Sequence, residues 1–313
     1  MKRKDLSNKI LNKNIKNIKL LKGIGKDSYF NTFINFQSIY NIFYLVYSNG
    51  KDSILKYNII NSQKINEIKK KRRYKSWKNK ASFRQKNKRD LIIALYSLIF
   101  PSIYIWNILN CECIINIREN DFYIHLNDIC ILNEKKTDSI FLCFYEYYLK
   151  EYDFKGKLKK VYKNYSHENN YHMKIYYDEE TKNNFIITSN ISFIKSYIYN
   201  KGKYYKYEDS NDNKEMHYEP LIYKSNGKKK LIEGSPLGII RIWDFHSTSL
   251  LKIIKLKEIK NFIYMCVWNE KYVSFGKTDG LIEILDITTG KILKKLKGHK
   301  NEVINIRKIN IPQ

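Results

Sequence analysis

The sequence predicts an all-β protein built from a repeated hairpin unit, and three observations carry that prediction. Strand-forming residues dominate: 27 Tyr and 15 Phe accompany abundant Ile, and hydrophobic residues make up 43% of the 313 positions. That is ample material for a core of aromatic and β-branched side chains. Asn49-Gly50 stands between the apolar runs Phe43–Ser48 and Ser53–Asn58, and Asn-Gly in that setting is a strong hairpin signal. Ile242-Trp243-Asp244 returns 42 residues later as Ile284-Leu285-Asp286.

Taken in order, residues 1–22 are rich in Lys and Asn and end in Leu20-Leu21-Lys22-Gly23, similar to Leu296-Lys297-Gly298 near the other end. The hairpin over 43–58 turns through Asn61-Ser62-Gln63-Lys64 into a further strand ending near Ile68. Residues 68–90 then break the pattern. They contain no acid between Glu67 and Asp90, and they read as an exposed, basic insertion between repeat units. Residues 91–109, LIIALYSLIFPSIYIWNIL, carry no charge and are long enough to cross a bilayer as a helix. Pro101, Ser97, Ser102 and Asn107 argue instead for two buried strands joined near Phe100-Pro101, the second of them aligned with residues 239–244. Asp138–Phe144 is expected to form the next strand, and residues 185–197 a hairpin. Residues 201–213 and 225–230 read as exposed connections. With Asn58, Trp106, Phe144, Tyr197, Trp243 and Leu285 as equivalents, the unit recurs at 48, 38, 53, 46 and 42 residues.

Residues 230–299 hold the best-preserved copies: two strands ending in Trp243-Asp244, then a strand, the turn Asp279-Gly280, a strand ending in Leu285-Asp286, and Gly298-His299. This order resembles the WD-repeat family of β-propellers, in which one such unit is one four-stranded blade. The resemblance is clearest over 230–310 and implies that residues 1–313 form a single propeller of about six or seven four-stranded blades. Gly298-His299 would open a blade of which only one strand, 303–309, follows. Two closures are open: six blades with spare strands, or a last blade left incomplete by a truncated chain.

The resemblance also implies structural roles. Trp243, Asp244, Ser274, Asp279, Gly298, His299 and Trp106 fall at or beside the family's motif positions, where a His, a Ser or Thr, a Trp and a turn Asp stiffen each blade by hydrogen bonding. Leu285 stands at the Trp place and the turn 235–238 lacks the Asp, so the network is incomplete in both copies. No catalytic, metal-binding or cofactor-binding residue emerges. There is no phosphate loop, nucleophile elbow or zinc-ligand spacing. His125, His167, His172, His217 and His246 are dispersed, and the five cysteines suit reduced thiols in an intracellular, cytoplasmic or nuclear, protein. The expectation is therefore a non-enzymatic scaffold for protein partners, without cofactor or small-molecule substrate.

Net charge is +27, much of it the lysine that an A+T-rich genome over-produces. The local run is more specific. Lys69, Lys70, Lys71, Arg72, Arg73 and Lys75 with Trp77 match a nuclear-import or RNA contact, cations meeting phosphates while aromatics stack on unpaired bases. RNA association through 69–89 and membrane attachment through 91–109 are the competing readings.

Overall fold

The computed structural model describes strand backbone from Phe33 onward. Side chains are described within 149–162, 172–190, 193–199, 201–209, 217–256 and 264–297, with Val303, Ile306 and isolated positions between 105 and 132. Six four-stranded antiparallel sheets follow one another along the chain, each a meander of consecutive strands. The first comprises β1 (Phe33–Gln37), β2 (Phe43–Ser48), β3 (Ser53–Asn58) and β4 (Gln63–Lys69). The second holds β5 (Trp77–Lys86), β6 (Asp90–Ser97), β7 (Ser102–Asn107) and β8 (Glu112–Arg118). The third holds β9 (Leu126–Asn133), β10 (Asp138–Phe144), β11 (Tyr148–Asp153) and β12 (Leu158–Lys163). The fourth is β13 (His172–Asp178), β14 (Asn183–Ser189), β15 (Ile194–Ile198) and β16 (Tyr204–Tyr207). The fifth is β17 (Leu221–Ser225), β18 (Lys228–Gly234), β19 (Ile239–Asp244) and β20 (Leu250–Lys255). The sixth is β21 (Phe262–Val267), β22 (Tyr272–Lys277), β23 (Ile282–Asp286) and β24 (Lys291–Leu296).

Four expectations are corrected. Residues 77–86 form the first strand of the second sheet, so the insertion read over 68–90 shrinks to the connection 70–76, which lies outside the described residues. Lys78, Lys80, Ser82, Arg84 and Lys86 alternate with Trp77, Asn79, Ala81, Phe83 and Gln85, a period of two masked by lysine density. Phe144 ends a second strand and is no counterpart of Trp243. Residues 201–213 include the strand β16. Residues 225–230 include most of β18's start, because Asn226 (φ 52°) and Gly227 (φ 76°) close a two-residue hairpin between paired Ser225 and Lys228; positive φ at both centres is what such a turn requires. Residues 91–109 form β6 and β7 on either side of Pro101, as two strands. Among the described residues no helix is long and apolar enough to cross a membrane.

One irregularity repeats. In five sheets the pairing of third and fourth strands shifts at the same place, just before Tyr57, Trp106, Tyr152, Trp243 and Leu285. In the fourth sheet, whose pairing does not shift, Tyr197 holds the corresponding position. These six residues are 49, 46, 45, 46 and 42 apart, more even than the sequence spacing suggested. A bulge recurring in register is a designed feature of the unit, since it re-aims the strand that follows.

Core lies between sheets. Leu132 and Leu149 of the third pack with Met173, Ile186 and Tyr199 of the fourth. Phe185, Ile187, Ile194 and Tyr207 of the fourth pack with Leu231, Trp243 and Phe245 of the fifth. Ile232, Ile240, Ile242 and Ile254 of the fifth pack with Val273, Phe275, Leu285 and Ile287 of the sixth. Strands β14, β19 and β23 are therefore buried on both faces and read as apolar runs rather than alternations. First strands lie beside one another: β1 by β5, β5 by β9, β9 by β13, and β17 by β21.

After β24 the chain returns to the sixth sheet, where Val303 N donates to Lys277 O at 3.0 Å. A Cβ on Gly276 would stand 2.6 Å from both Cβ and Cγ1 of Val303 and 3.0 Å from its carbonyl oxygen. Gly276→Ala is therefore expected to lower stability by about 1–3 kcal/mol, the usual range for overpacking. Urea titration checks this, and the cost of Gly276→Ala should be smaller on a Val303→Gly background, which removes the Cβ and Cγ1 that the new methyl would meet.

Candidate functional site

The described residues concentrate their buried charge at the seams between sheets. At one end of the seam between the fourth and fifth sheets, Glu233, the penultimate residue of β18, stands beside its cross-strand partner Arg241 on β19. Both are buried, as is His217, which precedes β17. Arg241 donates through Nη1 to Glu233 Oε1 and through Nε to Asp209 Oδ2, each at 3.4 Å. His217 Nδ1 lies 3.1 Å from Glu233 Oε2, and its backbone N–H donates to Asn190 O at 3.2 Å. One guanidinium thus joins an acid of its own sheet to an acid on the segment arriving from the fourth sheet. Its planar fork suits two carboxylates at once.

At the opposite end of the same seam Lys229 enters β18 and donates to the buried Asp178 that ends β13, with Glu180 Oε2 at 2.8 Å from the same ammonium. Thr181 Oγ1 donates to Asp178 Oδ2 at 2.7 Å and the Glu180 N–H to Oδ1 at 3.1 Å. His246 Nε2 stands 3.6 Å from Asp178 Oδ2. Burial alone would raise the Asp178 carboxyl, but the Lys229, Thr181 and Glu180 donors outweigh it and hold it below its ordinary 3.8. Lys229, penalised by burial, is still lifted above 10.5 by Asp178 and Glu180. A lowered acid stabilises the fold above its unfolded pKa and loses that contribution as pH falls through the folded value; a raised lysine contributes below 10.5 and loses it as pH rises through the folded value. Asp178→Asn should therefore be less stable than the parent at neutral pH, with the gap narrowing as pH falls below 3.8. Thermal melts from about pH 7 down to about pH 2, which spans the carboxylate range near pH 4 and the region below it, check it.

The seam between the third and fourth sheets has its own knot. Buried Glu151 on β11 accepts from Lys159 Nζ at 2.7 Å, Tyr162 Oη at 2.7 Å and, across the seam, Tyr199 Oη at 2.8 Å. Turns are tied in the same direction: Lys224 Nζ meets Glu180 Oε1 at 3.3 Å, Asn226 N donates to Glu270 Oε2 at 3.2 Å, and Lys252 Nζ donates to Ile287 O at 2.9 Å. Hydrogen-bonded buried charges of this kind hold register between layers. No group of three or more His, Cys, Asp and Glu side chains able to hold a metal ion occurs among the described residues.

The residues singled out from sequence do not form one cluster. Trp243 is fully buried against the fourth sheet. Asp244 accepts from the N–H of His246 at 3.1 Å and of Ser247 at 2.8 Å, which closes the turn after β19. Ser274 is buried and donates to Cys266 O at 3.4 Å within its own sheet. Asp279 is an exposed turn residue that accepts from Leu281 N at 3.0 Å and pairs with Lys277 at 3.0 Å. Trp106 lies on β7 after the repeated shift, Lys69 ends β4 and Trp77 begins β5. Lys70, Lys71, Arg72, Arg73, Lys75, Gly298 and His299 lie outside the described residues. Glu233, Arg241, Asp178, Lys229 and Glu151 were missed. Their signal was available: a Glu and an Arg inside the apolar strings Leu231-Ile232-Glu233 and Ile240-Arg241-Ile242 demand a buried partner.

The fold and these seams define an all-β protein of repeated four-stranded meander sheets, packed face to face from the third to the sixth and cross-tied by buried charge. The sequence matches no protein-family model and no curated protein.

Proposed function

We propose that the chain is a WD-repeat-type β-propeller acting as a non-enzymatic scaffold, an intracellular module that holds several protein partners on its turns and edges. The observation that carries this reading is the succession of meander sheets in which first strand lies by first strand at β1 and β5, β5 and β9, β9 and β13, and β17 and β21. Radial blades around a hub need that arrangement, and closing the ring removes exposed hub-side edges. The shift before Trp243 and Leu285 supports it further, because the family motif's Trp place and the structural repeat coincide there. Buried ties stiffen the seams and leave the intervening turns to face outward, where loops on a rigid frame make binding surfaces. Affinity purification of the tagged chain should recover a defined set of proteins at fixed stoichiometry. Recovery of the chain alone, together with turnover of a small substrate, would sink the proposal.

A second reading is favoured by one placement. Lys69 is the last residue of β4 and Trp77 the first of β5, so the basic run starts where one sheet ends and its aromatic partner opens the next; Lys70 to Lys75 lie outside the described residues. An RNA-associated propeller using residues 69–89 predicts salt-sensitive RNA binding. That binding would disappear on converting Lys70, Arg72, Arg73 and Lys75 together to Ala, and unchanged RNA affinity would exclude this role.

A further inference from the structure

In five of the six sheets the residue after the repeated position is Asn or Asp: Asn58, Asn107, Asp153, Asp244 and Asp286. In three of them the side chain closes the turn between third and fourth strands by accepting backbone N–H groups. Asp153 accepts from Lys155 and Lys157, Asp244 from His246 and Ser247, and Asp286 from Thr288 and Thr289. Asn and Asp suit such a place because their short side chains reach the backbone two residues on. The fourth sheet departs. Ile198 follows Tyr197 there, and the turn closes through backbone alone. Ile198 N donates to Lys203 O at 2.9 Å and Lys201 N to Ile198 O at 3.2 Å, with Gly202 at φ 66°.

This departure leaves the hairpin without a carboxylate. Residues 194–207 carry Lys195, Lys201, Lys203 and Lys206 and no acid, whereas the matching hairpin of each other sheet contains at least one: Glu67, Glu112, Glu151, Asp244 and Glu283. Lys201 and Lys203 are exposed, and among the described residues neither has a carboxylate partner. Beside them Tyr204, 51% exposed, opens the edge strand β16. Its ring lies 5.8 Å from that of Tyr197 and 5.4 Å from Lys195 Nζ. Lys206, the next residue on that face, stands 4.8 Å over the Phe193 ring and is already paired with Glu208 at 2.5 Å. Glu179 and Glu180 share this end of the sheet but belong to the turn between β13 and β14, and Glu180 is held by Lys224 and Lys229 of the fifth sheet.

We propose that the turn and outer edge of the β15–β16 hairpin bind single-stranded nucleic acid, with Lys201 and Lys203 on phosphates and the Tyr204 ring stacked on a base. The site goes beyond the scaffold reading and uses other residues than 69–89. Uncovered cations beside an exposed ring match an unpaired strand, because each nucleotide offers one phosphate and one π face. A duplex keeps its bases stacked on one another and offers Tyr204 none. An acidic peptide would meet the lysines and leave the ring in water. Lysine and tyrosine are common along the whole chain, so their number decides nothing. The lost turn acid decides, since a carboxylate at that place would repel phosphate and the other sheets show that the fold accommodates one.

The test titrates the full chain into a fluorescent uridine oligonucleotide of about ten nucleotides, within the span of one single-strand site. Saturable, salt-sensitive binding is expected. Lys201→Ala/Lys203→Ala should weaken it and lower the slope of log K against log salt by about 1.4, the value for two phosphate contacts on a single strand. Tyr204→Leu should weaken it about tenfold through lost stacking, with the slope unchanged, and both variants should melt with the parent. Unchanged affinity of the lysine variant overturns the proposal, as does unchanged affinity of a folded Tyr204→Leu variant. Displacement of the oligonucleotide by an equal charge of poly-glutamate would assign the hairpin to acidic protein and overturn it too. Phosphatidylserine vesicles bound through Lys201 and Lys203 in the absence of oligonucleotide binding would assign it to a membrane surface, with the same consequence. If converting Lys70, Arg72, Arg73 and Lys75 to Ala abolishes binding while both hairpin variants bind like the parent, this site fails and the reading of 69–89 stands. The reverse pattern supports this site and removes that reading.

Discussion

Arg241→Met should unfold the protein at markedly lower urea, with a loss of about 3–5 kcal/mol, the usual consequence of removing one partner from a buried ion pair. The methionine fills much of the arginine's volume, so the loss is electrostatic rather than a cavity effect. Glu233, fully buried, would be left beside Asp209 and His217 without the guanidinium that joins them. Arg241→Lys should rescue only part, because an ammonium is a point charge and cannot present a planar fork to both acids. Coupling supplies the sharper measurement. Glu233→Gln combined with Arg241→Met should be less destabilising than the sum of the two single losses, since the second change removes the orphaned charge created by the first. Additive losses, or a single-variant loss under about 1 kcal/mol, would mean that the pair does not tie the seam.

Trp243→Ala should be comparably severe, about 3–5 kcal/mol, by deleting the largest side chain of the seam between the fourth and fifth sheets. Trp243 meets Tyr207 edge to face at 6.2 Å, and Tyr207 in turn donates its hydroxyl to Phe245 O at 2.6 Å, so the cavity would open under an aromatic cluster that also includes Phe185. Desolvation pushes the Tyr207 hydroxyl far above its ordinary 10.0, so it stays a neutral donor across the whole working range. Trp243→Phe separates packing from polarity. The family resemblance implies that the indole N–H donates into a stiffening network. Among the described residues Trp243 Nε1 is buried without a hydrogen-bond partner. The phenylalanine variant should accordingly lose less than about 1.5 kcal/mol, the range of a tolerated core swap. Thermal melts of the three proteins decide it, and a Phe variant as unstable as the Ala variant would restore the polar role.

How far the sequence could be read depended on whether each residue's partner was local. Hairpins were legible where turn chemistry and strand composition agree over a few positions, as at Asn49-Gly50 and Asp279-Gly280. The apolar run over 91–109 resolved into β6 and β7 because Pro101 interrupts it at a place strands tolerate as a turn. Legibility failed where polar residues sit inside strands. Tyr148–Asp153 contains Lys150, Glu151 and Asp153 and was passed over, which shifted the repeat by a strand at Phe144. Glu151 is inside because Lys159, Tyr162 and Tyr199 satisfy it, the first two on the neighbouring strand β12 and the third in the fourth sheet. The strand Trp77–Lys86 was hidden in the same way, by lysines that a solvated strand position accepts readily.

Sequence alone determined the class of the protein: β-forming composition, hairpin turns and a recurring Ile-Trp-Asp unit are local or periodic properties that need no partner to be recognised. Only the tertiary structure decided the even 42 to 49 residue repeat and the buried ties at Glu233–Arg241 and Asp178–Lys229. Each of these joins residues from different strands or sheets, and burial turns a commonplace charge into a constraint only after those sheets have packed.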